Sequence, residues 1–387
     1  MKKIFVCFLF IISIFTMSFS TGNDAILAES NKSLEITSKS ALLMDYNTKT
    51  ILFEKDSDKK LPIASMVKLM TTLLTLERID NGQLKVDDSY SISEKAAGMG
   101  GSQVFLDAYS EYKLGDLLKS VIVCSANDSA VAISEIIAGS QEEFVTLMNK
   151  RAKELGMNNT NYVNATGLPM AGQYSTAKDV AILTCEVLKH PLYFNYSKTW
   201  LDKFVHPSGR ETEMTNTNKL VRFYKDCDGG KTGYTDEAGH CLSATAKRND
   251  LRLISVIIGG KDSKSRFSEV SSMLNYGFAN FKNECIIDNN KILDIKGIVK
   301  GSSVNEIELI PNESYYNLIS KSNKDEIKIN YVVNELKAPI NKGDVVGKII
   351  ITKNNEVIKE IDILANQSAS KKSYKDSLQS IVKNWAI

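Results

Sequence analysis

Apolar positions fall into stretches of different period along this chain. Behind Met1-Lys2-Lys3, positions 4–17 are apolar except Ser13 and Thr16, and small residues follow at Ser18, Ser20, Ala25 and Ala28. That layout is a secretory signal, too short to cross a bilayer comfortably. It predicts a signal peptide over 1–28, cleaved after Ser20 or, by preference, Ala28. Two short runs, 41–45 and 50–54, flank Tyr46-Asn47-Thr48-Lys49 and read as a β-hairpin. Pro62 then opens a helical stretch with Met66, Leu69, Met70, Leu73, Leu74 and Leu76 on a broad apolar face. Further helices are predicted near 114–124, 127–138, 141–155 and 176–188, strands near 229–234, 239–247 and 251–258, and a helix over 269–282. Strands at both ends with helices between predict an α+β domain around an antiparallel sheet, spanning 29–283.

Past Cys285 the texture changes to short β-branched runs broken by Asn, Lys and Gly, which predicts a small all-β domain over 284–370. A polar break at 366–372 precedes the last segment. At 100° per residue, Tyr374, Leu378, Ile381, Val382 and Trp385 share an arc of about 100°, with Lys383 opposite and Lys371, Lys372 and Lys375 nearby. This predicts an amphipathic helix over 371–387 lying on a membrane surface.

Composition narrows the function. The 387 residues are 43% hydrophobic and 24% charged, an ordinary globular balance with room for two domains. The formal net charge is +2, from 48 basic and 46 acidic residues, without the basic excess of a nucleic-acid binder. Without Cys7 of the signal, Cys124, Cys185, Cys227, Cys241 and Cys285 remain, an odd number without framework spacing, expected as separate buried thiols. There is no CxxC, and His190, His206 and His240 lack metal-ligand spacing, so no metal is expected.

Three short motifs carry the chemistry. Ser65-Met66-Val67-Lys68 fits S-x-x-K, Ser125-Ala126-Asn127 fits S-x-N, and Lys231-Thr232-Gly233 fits K-T-G. Each alone recurs by chance; their order and spacing together are specific, and the triple is the signature of serine β-lactamases and penicillin-binding proteins. Ser65 is expected in the first turn of the helix opened by Pro62, where free N–H groups favour negative charge. Lys68 follows one turn along the same face. A serine hydroxyl attacks only when a base takes its proton, and lysine is that base only when burial and nearby cations lower its pKa. Lys231 supplies such a cation, Ser125 can relay a proton to the leaving amine, and Asn127 can bond the substrate amide or steady Lys68. Lys231 and Thr232 offer a charge and a hydroxyl to a substrate carboxylate. The N–H groups of Ser65 and Tyr234 are the expected oxyanion hole. The small residues Gly229, Gly230 and Gly233 are expected to let an extended peptide lie along this strand.

The chain resembles the serine D-alanyl-D-alanine carboxypeptidases, the low-molecular-mass penicillin-binding proteins, over roughly residues 35–370. Asn164-Ala165-Thr166-Gly167-Leu168 followed by Gln173-Tyr174-Ser175-Thr176-Ala177 is similar to their N-x-x-G-L…H-Y-S-T-A stretch. Asn216-Thr217-Asn218, the run from Gly229 to Thr235, Ala238-Gly239 and the run from Arg252 to Ser255 are similar too. Arg266 matches a family arginine that holds the terminal carboxylate. The resemblance implies a penicillin-binding, β-lactamase-like catalytic fold with a β-rich second domain. It also implies removal of the terminal D-alanine from peptidoglycan pentapeptides through a Ser65 acyl-enzyme, without cofactor, and acylation by penicillins. It favours a protein secreted and held at the outer face of the membrane by its last helix. Gln173 and Tyr234 stand where the family often has histidine, and Thr217 where it can have arginine, which bears on fine specificity. An endopeptidase of the same family is the nearest alternative. A class A β-lactamase would need a glutamate about 36 residues beyond Ser125, where Thr160-Asn161-Tyr162-Val163-Asn164 stands, Glu154 falling in the preceding helix. A non-catalytic scaffold would not need Ser65, Lys68 and Lys231 together.

Overall fold

The computed structural model describes residues 34–322 and 326–373. The expected signal peptide and the apolar stripe from Tyr374 onward lie outside them. Strands β1 (Ser40–Asp45), β2 (Ile51–Lys55), β3 (Cys227–Thr235), β4 (Gly239–Arg248) and β5 (Leu251–Gly260) form one antiparallel sheet in the order β2-β1-β5-β4-β3. The hairpin and the three later strands are where the apolar pattern predicts them. Alternation along β1 and β5 sends Leu42, Met44, Ile254, Val256 and Ile258 to one face and Ala41, Leu43, Leu253 and Ile257 to the other. Both faces are covered, which is why these strands read as nearly continuous apolar runs.

One face packs against α1 (Lys68–Asp80), α2 (Leu114–Val123), α3 (Asn127–Ala138), α4 (Gln141–Glu154) and α5 (Ala177–Val187). Ser140 and Thr176 cap α4 and α5, accepting from the backbone N–H groups of Glu143 and Asp179. The other face is covered by α6 (Ser263–Asn280). This helix begins six residues before the apolar stripe predicts, because Asp262 accepts from the Ser265 N–H at 2.7 Å and fixes the first turn. It also ends sooner, for Phe281 opens a strand instead of closing the helix.

That strand, Phe281–Ile287, pairs antiparallel with Tyr315–Ser320. A six-stranded sheet completes the β-rich domain, with its own core of Ile307, Leu309, Ile349, Ile351, Ile361 and Ile363. The polar stretch at 366–372 is tied to this domain, Ala369 bridging to Ile340 and Lys371 to Ser302. All five cysteines here are free, three buried and Cys124 half-buried. Cys285, expected inside, is exposed because the strand's alternation of buried and open positions breaks at a register shift between Cys285 and Ile287.

Candidate active site

Ser65 lies in a single 3₁₀ turn, Ala64–Val67, and the α-helix proper begins at Lys68. The expectation of an α-helical first turn is corrected here, with a chemical consequence. In a 3₁₀ turn residues i and i+3 eclipse, so Lys68 stands directly over Ser65, its Nζ 3.0 Å from the Ser65 Oγ. Ala64, just before the serine, has φ +47°, a sparsely populated conformation for a residue with a Cβ.

Two glycines hold that turn. A Cβ on Gly167 would lie 2.1 Å from the Ala64 carbonyl oxygen and 2.8 Å from the Ser65 nitrogen, and its φ is +82°. A Cβ on Gly233 would lie 2.6 Å from the Ile63 oxygen. The glycines of the β3 segment therefore make room for protein and not for an approaching peptide: Gly229 abuts Tyr193, and Gly230 abuts the Ser243 carbonyl.

Lys68 is fully buried and has two further partners, the Asn127 Oδ1 and the Thr166 carbonyl, each at 2.6 Å. Burial first, and the charge of Lys231 second, hold its pKa well below the ordinary lysine value. Asn127 opens α3 and donates from Nδ2 to the Gly100 carbonyl at 2.7 Å, so its amide is spent on fixing Lys68. Ser125 precedes that helix with φ +66°, and its buried Oγ has no hydrogen-bond partner among the described residues.

Thr166, Asn164 and Gly167 enter the sequence reading only as part of a resemblance. Asn164 Oδ1 accepts from the N–H groups of Thr166 and Gly167 at 3.1 and 2.7 Å, an Asx turn that aims the Thr166 carbonyl at Lys68. The signal in the sequence was N-x-x-G itself. Gln173, which departs from the family pattern, accepts from the N–H groups of Val163 and Asn164, each at 3.2 Å. It shapes this same loop. Thr217 donates its backbone N–H to the Val123 carbonyl at 3.0 Å, at the end of α2. Glu154 is turned toward Arg151, its carboxylate 3.2 Å from that guanidinium.

Lys231, Thr232, Gly233 and Tyr234 lie on β3, the edge strand, where alternate N–H groups are left by the sheet. Lys231 is buried, donates to the Thr232 carbonyl at 3.1 Å, and has its pKa brought down to about 7 by burial and, in smaller part, by Arg266. Arg266 reaches in from α6 and donates to the carbonyls of Gly233 and Cys241 at 3.2 and 3.4 Å. Neither cation meets a carboxylate among the described residues, so the edge of β3 carries two buried positive groups without a counter-charge. Tyr234 is exposed, stacks on His240 with ring centres 4.4 Å apart, and donates its hydroxyl to Asp236.

A serine under a buried lysine, beside two cations lacking an anion, defines a serine hydrolase of the penicillin-binding type. Residues 27–262 match the D-alanyl-D-alanine carboxypeptidase family and residues 281–371 match the penicillin-binding protein 5 C-terminal domain. The chain belongs to the D-alanyl-D-alanine carboxypeptidase family. It is 38% identical to the D-alanyl-D-alanine carboxypeptidase DacF of Bacillus subtilis over 90% of each chain. Its fold is similar to penicillin-binding protein 5 of Haemophilus influenzae, with 30% identity, TM-score 0.70, and coverage of 87% of this chain and 98% of that one. It is also similar to penicillin-binding protein D2 of Listeria monocytogenes in its ampicillin-bound form, with 30% identity, TM-score 0.57, and coverage of 63% and 99%.

Proposed function

We propose that this enzyme removes the terminal D-alanine from peptidoglycan stem peptides through an acyl-enzyme on Ser65, with Lys68 as the base. The observation that carries the roles is the coordination of Lys68. Two of its partners, the Asn127 Oδ1 and the Thr166 carbonyl, only accept. A neutral amine therefore spends both N–H bonds on them, and its lone pair is left for the Ser65 hydroxyl. The proton of Ser65 passes to Lys68 as Oγ attacks the penultimate carbonyl. The N–H groups of Ser65 and Tyr234 receive the developing oxyanion. Ser125, whose Oγ is otherwise unpartnered, relays a proton to the departing amine. Lys231, Thr232 and Arg266 hold the free carboxylate, with Gly233 seating their strand against the nucleophile. Water then releases the shortened peptide.

The alternative, cleavage of a cross-link by an endopeptidase, needs no free carboxylate. The cation pair Lys231 and Arg266 favours the carboxypeptidase. Mass spectrometry after incubation with a pentapeptide should show loss of one alanine, and the C-terminal amide should lose most of its kcat/KM. Equal turnover of acid and amide would overturn this reading in favour of the endopeptidase. A fluorescent penicillin should label the protein but not Ser65→Ala, and labelling that persists there would remove the nucleophile assignment.

The same reading places the mature chain outside the cytoplasmic membrane, delivered by residues 1–28 and resting on the outer face through the segment from Tyr374. Among the described residues no helix is long and apolar enough to cross a membrane.

A further inference from the structure

A loop that the acylation chemistry does not use grips Asn127 and Asp128. In the segment 100–107 the Gly100 carbonyl accepts from Asn127 Nδ2 and the Ser102 carbonyl from the Asn127 backbone N–H, each at 2.7 Å. The N–H groups of Val104 and Leu106 donate to the Asp128 carboxylate, each at 3.1 Å. Between them Phe105 has φ +62° and is 53% exposed although apolar. Such a backbone shape persists only where its surroundings impose it.

The antiparallel hairpin of Leu201–Val205 and Glu211–Thr215 supplies that constraint. Arg210 donates from Nη2 to the Phe105 carbonyl at 2.6 Å, and Thr212 donates its hydroxyl to the Val104 carbonyl at 3.1 Å. His206 stands at the hairpin's turn with its side chain wholly buried. Its Nε2 lies 2.9 Å from Thr212 Oγ1, and its Nδ1 lies 2.9 Å from the Tyr112 hydroxyl and 3.1 Å from Arg210 Nη2. A guanidinium only donates, so Nδ1 accepts and the ring proton is on Nε2. Thr212 accepts from that N–H and keeps its own hydrogen for the Val104 carbonyl. Burial first, and the Arg210 charge second, hold the His206 pKa below its ordinary value, against Asp107 and Asp128. The neutral ring that this chain of hydrogen bonds requires is therefore the favoured form.

We propose that His206 is a positioning residue for acylation: through Thr212 it fixes the loop that grips Asn127, and Asn127 in turn fixes Lys68. The inference rests on the acyl-enzyme reading above and adds to its machinery a residue outside the three motifs. It is tested by the rate of acylation with a fluorescent penicillin and by thermal unfolding of the same preparations. Thr212→Val, which keeps the shape and removes the hydroxyl, and His206→Phe should acylate about three- to tenfold more slowly, the size of one net hydrogen bond. KM for pentapeptide should change little in either. Should His206→Phe fail to fold, Thr212→Val carries the test. His206→Gln keeps a donor for Thr212 and an acceptor for Arg210, and should recover most of the loss. In an Asn127→Ala background Thr212→Val should slow acylation no further, because both act on the same link. Thr212→Val acylating like wild type, or slowing Asn127→Ala by its full factor, overturns the positioning role while leaving the acyl-enzyme intact. Absence of labelling at Ser65 in wild type overturns the acyl-enzyme reading and this inference together.

Discussion

The Thr166 carbonyl accepts a 2.6 Å hydrogen bond from Lys68, a residue 98 positions earlier in the chain. With the Asn127 Oδ1 it satisfies a buried amine using neutral acceptors only. No carboxylate bonds Lys68 among the described residues, and the nearby Asp128 only partly offsets the burial and the Lys231 charge that disfavour its ammonium form. That surrounding favours the neutral amine, the form a base requires.

Lys68→Ala should fold and acylate about 10²–10⁴-fold more slowly with a fluorescent penicillin. Nucleophile and base act as a unit, so Ser65→Ala and the double variant should be indistinguishable in turnover. Acylation of Lys68→Ala within a few-fold of wild type would exclude the lysine as base.

Gly167→Ala should cost about 1–3 kcal/mol of stability and slow acylation, because its Cβ would collide with the Ala64 carbonyl and its φ is +82°. Thermal unfolding and penicillin acylation measured on the same preparation check both effects. A variant unchanged in both would show that the Ser65 turn is not held by this loop.

Lys231 titrates near pH 7, and only its ammonium form holds a carboxylate. In the free enzyme kcat/KM for pentapeptide should fall as pH rises through about 7, mainly through KM. The substrate carboxylate stabilises the ammonium, so the matching limb of kcat should lie higher. Lys231→Arg keeps its charge and should lose this limb. Between about pH 7 and the ordinary lysine value the unfolded chain holds a proton that the folded one lacks. This group's contribution to stability therefore rises with pH across that window, and Lys231→Met should remove that slope from the urea midpoint.

Removal of residues 374–387 should leave hydrolysis of soluble pentapeptide nearly unchanged and abolish sedimentation with anionic vesicles. The cut follows Ser373 because Lys371 is bridged to Ser302 in the β-rich domain. Half-burial of Tyr374, Leu378, Ile381, Val382 and Trp385 in the membrane interface would supply about 4–7 kcal/mol, with about 1 kcal/mol more per lysine near an anionic surface. If both versions partition alike, the segment is a packing element of the β-rich domain.

The sequence by itself determined the parts of this enzyme that depend on local pattern. Period-2 and period-3.6 apolar runs placed most of the catalytic domain's main strands and helices, with its first and last helices shifted at their starts, and marked the change to an all-β texture after Cys285. Three motifs named Ser65, Ser125 and Lys231 as chemical positions. Caps and tight turns were less legible: Asp262 starts α6 ahead of its apolar stripe, and the 3₁₀ turn of Ser65 is packed against Gly167 of a distant loop and Gly233 of β3. Only the tertiary structure could decide what surrounds Lys68. Its acceptors come from residues 127 and 166, its second cation from 231, and the chain must close before burial can lower a pKa. Gln173 shows the same limit, for a departure that reads as a matter of specificity proves to shape the loop behind the base. Desolvation and the pairing of distant groups are properties of the folded interior, and one-dimensional spacing does not encode them.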